Sequence, residues 1–365
     1  MTRGVPERRV GALEDAAPDV SFFTSRGMSY PAFKSTSAPK ELRGGHRSGV
    51  RALAWTCDGE ALVSGGHDRL ARVWYPERSV SGVLIKTDVR STKELIGHQD
   101  QISALACHPT QSDLLATCST DKTVRLWDLR SPAAAKVIHT PGSNINLAYS
   151  PDGRYLTVGD KSETVILIDA ENGTVAETIK DGKSDREEIN EMAWSPDASL
   201  LLLPMGNGQL RFLRSPTQLS HPQKDTRDSW ECVLTRPIHS AAVFCIEWDP
   251  TSRIVATGAA DSTIALWDAS EWDSLHVFSS ITFPPRSLGF SYDGEWLAAG
   301  GEDSDLLLMS VASRRIAHRL PVSATINSLA WHPSKPLLAY SGTESIASGT
   351  SHVPRSTPIW LYNLT

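Results

Sequence analysis

Residues Ala116–Arg130 read ATCSTDKTVRLWDLR, and this stretch decides how the whole chain is interpreted. The same order of residue types returns from Leu62 in LVSGGHDRLARVWYP and from Ala256 in ATGAADSTIALWDAS. In each copy a Ser or Thr is followed four residues later by Asp, and six residues further on by Trp. A motif that is present in three copies indicates repeated architecture rather than one unique site.

Each copy also has a histidine upstream, so that four residue types recur together. The three groups, which we call the tetrads, are His46, Ser64, Asp68 and Trp74; His98, Thr117, Asp121 and Trp127; and His239, Thr257, Asp261 and Trp267.

A second element recurs seven times: a short apolar strand that ends before a turn rich in Pro, Asp and Gly. The last strand positions are Trp55, Cys107, Tyr149, Trp194, Trp248, Phe290 and Trp331, which we call the anchors. A period of roughly 40–45 residues with Gly-His and Trp-Asp signatures resembles the WD40 repeat, in which each unit forms one four-stranded blade. The sequence therefore predicts an all-β fold, a seven-bladed WD40 β-propeller.

Strand boundaries follow from the alternation of apolar and polar residues in the best-preserved repeats. For the first two blades the predicted strands are Val50–Trp55, Ala61–Gly65, Leu70–Tyr75, Thr92–Ile96, Gln101–Cys107, Leu114–Cys118, Thr123–Asp128 and Ala135–His139.

The last repeat is one strand short, because the chain ends soon after PIWLYNLT. We predict that Ser37–Arg43 supplies the missing outer strand and closes the ring, since an open ring would leave sheet edges exposed. Residues 1–36 are then a flexible N-terminal arm and residues 37–365 the propeller. Two polar insertions, Pro76–Ser91 and Arg214–Ser229, account for the two long repeat intervals.

Composition excludes several classes of function. The chain has 365 residues and a formal net charge of −6, which argues against broad electrostatic binding of nucleic acid. No apolar run approaches the roughly 20 residues of a membrane helix, and the N-terminus lacks the pattern of a secretory signal. The cysteines form no CxxC pair, and no P-loop is present. We expect no metal, no cofactor, no membrane contact and no small-molecule substrate.

The residues His46, Ser64 and Asp68 could be mistaken for a nucleophile, base and orienting carboxylate. A catalytic triad would occur once, whereas this set recurs with equal spacing. We therefore interpret the tetrads as buried hydrogen-bonded networks that satisfy one another's polar atoms, and we predict no enzyme activity.

Five basic residues are candidates for partner binding: Arg47, Arg69, Lys122, Arg130 and Arg286. Those of the upper-face loops, which precede the first strand and join the second to the third, are interspersed with acidic residues. The acidic residues are Asp100, Asp160, Glu163, Glu302, Asp303 and Asp305. Such a mixture neutralises few phosphates, so we expect any RNA association to be indirect.

The order of intact and degenerate repeats resembles one family in particular. The segments that carry this resemblance are NINLAYSPDGRYLTVGDKSETVILIDA (Asn144–Ala170), EINEMAWSPDASLLLLPMGNGQLRFL (Glu188–Leu213) and FPPRSLGFSYDGEWLAAGGED (Phe283–Asp303). Together with the intact repeats they resemble the WD-repeat subunit of the THO complex, the THO complex subunit 3 family. The resemblance runs from Glu41 to Thr365 and leaves out the first forty residues.

This resemblance implies a nuclear, non-catalytic scaffold of the THO and transcription–export (TREX) assembly, which supports mRNP assembly and mRNA export. Its partners would be the large helical THO subunits and mRNA-export factors. Two alternatives stay open. One is a cullin-4 ubiquitin-ligase substrate receptor, because Trp127–Arg130 forms a WDxR box. The other is a propeller of ribosome assembly.

Overall fold

The computed structural model describes residues 38–76, 93–131, 133–179, 188–216, 230–322, 324–344 and 357–364. Every regular element within these ranges is a β-strand, and the strands form seven four-stranded antiparallel sheets. The all-β, seven-bladed propeller predicted from the repeats is therefore confirmed. The predicted arm 1–36 and most of both insertions lie outside the described residues.

The strands of each blade are called a to d in the order in which they lie in the sheet. Blade one contains β2 (Val50–Trp55), β3 (Leu62–Gly66), β4 (Ala71–Trp74) and β5 (Lys93–Leu95). Blade two contains β6 (Ile102–Cys107), β7 (Leu114–Ser119), β8 (Thr123–Asp128) and β9 (Ala134–His139). Blade three contains β10 (Asn144–Tyr149), β11 (Tyr155–Asp160), β12 (Val165–Asp169) and β13 (Thr174–Ile179). The boundaries predicted for blades one and two agree with these to within one residue.

Blade four contains β14 (Ala193–Trp194), β15 (Leu200–Pro204), β16 (Gln209–Arg214) and β17 (Glu231–Pro237). Blade five contains β18 (Val243–Trp248), β19 (Ile254–Ala259), β20 (Ile264–Asp268) and β21 (Ser274–Phe278). Blade six contains β22 (Pro285–Phe290), β23 (Trp296–Gly301), β24 (Asp305–Ser310) and β25 (Arg315–Pro321). Blade seven contains β26 (Ala324–Trp331), β27 (Leu337–Glu344), β28 (Thr357–Asn363) and, as strand d, β1 (Lys40–His46).

Strand β1 closes the ring by pairing antiparallel with β28, with Lys40 opposite Leu361 and Leu42 opposite Ile359. The N-terminal closure is confirmed, but the strand begins three residues later than Ser37–Arg43. The register follows from burial: Leu42 is 3% exposed and packs in one cluster with Ile359. A strand shifted by one residue would turn Leu42 to the other face of the sheet.

The core lies between blades rather than at one centre, because each sheet buries both faces against its neighbours. One cluster, for example, joins Ala116 and Leu126 of blade two to Leu156 and Ile168 of blade three. All of β11 is buried. This explains why the b and c strands are apolar on both faces.

The a strands lie innermost and contact each other around the ring. Side chains on these strands, or just before them in blade four, accept hydrogen bonds from the amides of the next blade's a strand. The acceptors are Ser287 Oγ for Leu329 N at 3.2 Å, Ser328 Oγ for Leu53 N at 3.0 Å and Glu191 Oε2 for Ile246 N at 2.7 Å. The turns a–b and c–d form the lower face of the ring, and the b–c turns with the d–a connections form the upper face.

Candidate functional site

The three predicted tetrads exist as continuous hydrogen-bonded chains. In blade one, Trp74 Nε1 lies 2.8 Å from Ser64 Oγ, which lies 2.7 Å from His46 Nε2, and His46 Nδ1 lies 2.8 Å from Asp68 Oδ1. Blade two repeats these distances as 2.8, 2.7 and 2.9 Å between Trp127, Thr117, His98 and Asp121. Blade five repeats them as 2.8, 2.8 and 3.2 Å between Trp267, Thr257, His239 and Asp261.

The direction of each chain follows from the first donor. An indole N–H can only donate, so the hydroxyl oxygen accepts from it and the hydroxyl O–H donates a hydrogen bond to the histidine Nε2. The imidazole is then neutral, with its proton on Nδ1, where it donates to the carboxylate. Ser64, Thr117 and Thr257 are each fully buried. Each hydroxyl group is shielded from solvent and already hydrogen-bonded to both the indole and the imidazole of its tetrad.

The pKa values agree with neutral histidines beside ionised carboxylates. Burial lowers the pKa of both His98 and His239, although the neighbouring aspartates work in the opposite direction. Burial alone would raise the pKa of Asp121, but hydrogen bonds from Thr123, the Gln99 amide and His98 outweigh it and lower that pKa to about 2.

Each tetrad aspartate also ties two upper-face loops together. Asp121 accepts from the amide of Gln99 in the d–a connection at 2.8 Å and from the amide of Thr123 at 2.9 Å. Asp68 does the same for the amides of Arg47 and Leu70. The upper face of blades one, two and five is therefore built from loops that the tetrads hold in place.

The basic residues singled out from the sequence do not come together as one site. Arg47, Arg69 and Lys122 are exposed on the upper face, where Arg69 and Lys122 have φ values of 66° and 63° in the tight b–c turns. Arg69 Nη1 lies 3.3 Å from the Gln99 carbonyl. Arg286 lies on β22, pairs with Glu302 at 2.7 Å and stacks over Phe244 at 4.8 Å.

Arg130 lies on the opposite, lower face. Its guanidinium pairs with Asp128 at 2.6 Å and, more distantly, with Asp113 at 3.9 Å, and its side chain stays 71% exposed. These contacts hold the arginine of the WDxR box in an exposed position.

The structure corrects the assignment of one acidic residue. Asp160 was expected among the exposed charges of the upper face, but it is 3% exposed. Its Oδ1 accepts from the amides of Ser162 and Thr164 at 2.8 and 3.0 Å. The carboxylate therefore holds the b–c turn of blade three and does not add to the surface charge.

Sequence reasoning missed two carboxylates, Glu191, which lies just before β14, and Glu247, which lies in β18. Burial raises the pKa of Glu191 to about 7, whereas the side chain of Glu247 is exposed. Glu247 could have been noticed in the sequence, because it stands one residue before the anchor Trp248, where the other blades have Ala or Gly.

The described ranges give no indication of a metal site or a membrane-spanning helix. That part of the chain contains no group of three or more His, Cys, Asp or Glu side chains placed to hold a metal ion. It also contains no helix long and apolar enough to cross a membrane.

Comparisons with known proteins agree with this architecture. The WD domain, G-beta repeat family matches residues 39–75, 89–128, 230–268 and 272–308. The matches that begin at residues 39, 89 and 230 end at strand c of the three tetrad blades, which carries the tetrad tryptophan. These matches also include the outer strand that precedes each blade in the chain, so the sequence repeat is offset from the structural blade by one strand.

Two curated relatives and one solved structure are informative. THO complex subunit 3 of Arabidopsis thaliana is 35% identical over 300 residues, which cover 82% of this chain and 88% of that protein. WD repeat-containing protein AAC3 of Dictyostelium discoideum is 30% identical over 311 residues, or 81% of this chain and 62% of that protein. The β-propeller domain of Cps50 (Swd1) from Myceliophteria thermophila superposes with a TM-score of 0.70 at 18% identity, covering 88% of this chain and 98% of that one. That last likeness concerns the fold alone.

Proposed function

Because this chain belongs to the THO complex subunit 3 family of WD-repeat proteins, we propose that it is a non-catalytic scaffold subunit of a nuclear THO complex. In that role it supports mRNP assembly and mRNA export, within the transcription–export assembly, through contacts between proteins. The observation that carries this proposal is the 35% identity to THO complex subunit 3 over 82% of the chain.

The physical basis of a scaffold role is the rigidity of the loops. The tetrads hold the upper-face turns of three blades in a preformed arrangement, and preformed loops bind with a smaller loss of conformational entropy than mobile ones. We propose that the large helical THO subunits dock on such loops, with Arg47, Arg69, Lys122 and Arg286 as candidate contacts. These four side chains offer charged groups on a fixed backbone.

RNA would then reach the complex through other subunits. The exposed Arg47, Arg69 and Lys122 share the upper face with acidic residues, and Arg286 is already paired with Glu302. Binding through few phosphate contacts is weak at physiological salt. A sub-micromolar affinity of the isolated chain for single-stranded RNA at that salt concentration would contradict an indirect role.

Affinity purification of the full chain from nuclear extract tests the proposal. Recovery of the large helical THO subunits supports it, whereas recovery of pre-ribosomal particles without THO subunits supports the ribosome-assembly alternative. Deletion of Ser215–Asp228, within the second insertion, should leave assembly with the helical subunits intact. Loss of co-purification by a deletion variant that still folds would make that insertion the docking element.

One observation favours a second candidate. Arg130 is 71% exposed and held outward by Asp128, which suits the WDxR box of a cullin-4 substrate receptor. Co-purification of cullin-4 with its adaptor, lost on Arg130→Ala, would support this function. Under the THO proposal Arg130→Ala leaves the recovered partners unchanged.

A further inference from the structure

Neighbouring blades are separated on the lower face by equivalent grooves, which differ in what fills them. Each groove lies between the c strand of one blade and the anchor of the next, beside the c–d turn of that next blade. Three of these turns are fully described and share one geometry. The equivalent residue of the three turns is Gly173, Trp272 and Arg314. Its amide donates to the carbonyl four residues earlier, at 2.8, 2.8 and 2.9 Å respectively, and its φ is 68°, 59° and 57°.

In the groove between blades four and five, this position is Trp272 and the protein fills the groove itself. The indole packs edge-on against Phe212 of the c strand, with ring centroids 4.5 Å apart, and against the anchor Trp248 at 6.2 Å. Trp272 is only 8% exposed. A non-glycine residue with positive φ is uncommon, and here the packing of the ring holds it in that conformation.

The groove between blades five and six is filled in part. Here the turn residue is Arg314, whose Nη1 donates to the carbonyl of Leu275 at 2.8 Å across the groove. A cavity of about 290 Å³ remains, lined by Leu266 where blade four has Phe212.

The groove between blades two and three, which we call the blade 2/3 groove, has no side chain at this position because the residue is Gly173. A cavity of about 650 Å³ is left, which is the size of a ligand site. Its walls include Leu126, the counterpart of Phe212, and the anchor Tyr149, the counterpart of Trp248. Leu115 and Trp127 lie beneath these walls and are themselves buried.

The rim of the blade 2/3 groove carries no excess charge. Lys136 and Arg154 are offset by Asp152 and Glu171, and the Lys136 ammonium already donates to the Glu171 carbonyl. A balanced rim does not select an anion or a cation. The apolar walls, the phenol of Tyr149 and the geometry of the filled counterpart all suit an uncharged aromatic ring.

We propose that the blade 2/3 groove binds an aromatic side chain of a partner protein, in the place that Trp272 occupies between blades four and five. The identification of that partner as a THO subunit rests on the proposed function. Aromatic residues buried in a pocket are typical anchors of protein interfaces. The groove would give the lower face of the ring a specific contact in addition to the loops of the upper face.

The equivalent turns supply a matched pair of variants. Gly173→Trp should fill the blade 2/3 groove from within, because a Trp is tolerated at the same φ in blade five. A side chain at Gly173 first meets Cδ of Lys136, which is flexible and can move aside. Arg314→Trp fills the groove between blades five and six instead and is the control. Ala135 lies exposed at the edge of the blade 2/3 groove, and Ala135→Trp is a second variant that blocks the groove should Gly173→Trp fail to fold.

Binding of 5-fluoroindole to the full chain, followed by fluorine NMR, tests the groove without any partner. We expect saturable binding by the wild-type chain, at least tenfold weaker binding by Gly173→Trp and unchanged binding by Arg314→Trp. Equal binding by the wild-type chain and by the folded variants that block the groove, or no binding at all, would overturn the proposal.

Co-expression with the helical THO subunits tests the identity of the partner. A photo-crosslinker at Ala135 should capture a peptide that contains an aromatic residue, whereas one at the equivalent Leu275 should not, and Gly173→Trp should reduce assembly at least tenfold. Normal assembly of that variant would overturn the groove proposal and leave the proposed function standing. If the wild-type chain does not assemble, the proposed function fails, and the fluoroindole result alone decides about the groove.

Discussion

Blades two and three have the same strand order but differ in what holds their strands together. In blade two, Thr117 and Trp127 belong to a buried polar chain that ends at Asp121. In blade three the equivalent positions of the sheet are Val158 and Ile168, which pack in an apolar cluster. A blade therefore does not require the tetrad.

The b–c turns of the two blades are also held by aspartates at different positions. Asp121 holds its turn from the middle of the turn, whereas Asp160 holds the turn of blade three from the end of β11. The chain passes so close to Asp160 that a side chain at Gly142 would collide with the carboxylate. What both blades share is an aspartate that accepts hydrogen bonds from backbone amides of the b–c turn, so that its carboxylate is paired where it is shielded from water.

The largest effect is expected for Asp121→Ala. The substitution leaves His98 Nδ1–H and the amides of Gln99 and Thr123 without their acceptor, at about 1–3 kcal/mol for each buried unsatisfied group. The thermal midpoint should fall clearly while the purified protein still folds. Differential scanning calorimetry measures the thermal midpoint, and urea unfolding measures the free energy of unfolding. An unchanged midpoint would show that the tetrad does not stabilise blade two.

Asp160→Ala is the counterpart in blade three and should cost less, about 1–2 kcal/mol. The amides of Ser162 and Thr164 lose their acceptor, but Ser162 is exposed and water can replace part of the loss. Asp160→Asn keeps an acceptor oxygen and should lie between wild type and Asp160→Ala in urea unfolding. If Asp160→Ala has no effect, the turn of blade three is held by packing alone.

Acidification should destabilise the fold in part through the tetrad histidines His98 and His239. The pKa values of His98 and His239 are lowered in the folded protein, so the unfolded chain binds more protons as the pH falls below about 6.5. Stability from these two groups is complete above that pH and declines as the pH falls toward their folded pKa values. Nitrogen NMR at about pH 7.5, above the ordinary histidine pKa, should show both rings neutral, with the proton on Nδ1. An imidazolium spectrum at that pH would contradict the donor order of the chains.

The smallest effects are expected at Ser162 and Asn207, which occupy in blades three and four the position of the tetrad aspartate in blades one, two and five. Substitution of either by Ala should change the free energy of unfolding by no more than about 0.5 kcal/mol. Asn207 should be the more sensitive of the two, because its Oδ1 accepts from the Gln209 amide at 3.0 Å. A loss comparable to that of Asp121→Ala at either position would remove the distinction between blades with and without a tetrad.

Much of this architecture can be predicted from sequence because it is local. Strand boundaries in blades one and two follow from alternation over six or so residues, and the tetrads follow from fixed spacing within one repeat. The closing strand was placed three residues too early, because the apolar signal of β1 is a single buried residue, Leu42. Arg47, Arg69 and Lys122 lie in upper-face loops, where the sequence pattern put them, but the ion pairs of Arg130 and Arg286 could not be foreseen.

The sequence by itself determined the number of blades, the all-β class, the ring closure from the N-terminal side and the members of the three tetrads. Only the tertiary structure decided which side chains meet across blades. Trp194 donates to Thr157 of the preceding blade at 3.2 Å, Glu191 accepts from the Ile246 amide, and Trp272 fills a groove that Gly173 leaves open. These contacts join residues tens of positions apart, and the packing and curvature of neighbouring sheets set their distances. No periodicity within a single repeat encodes that curvature.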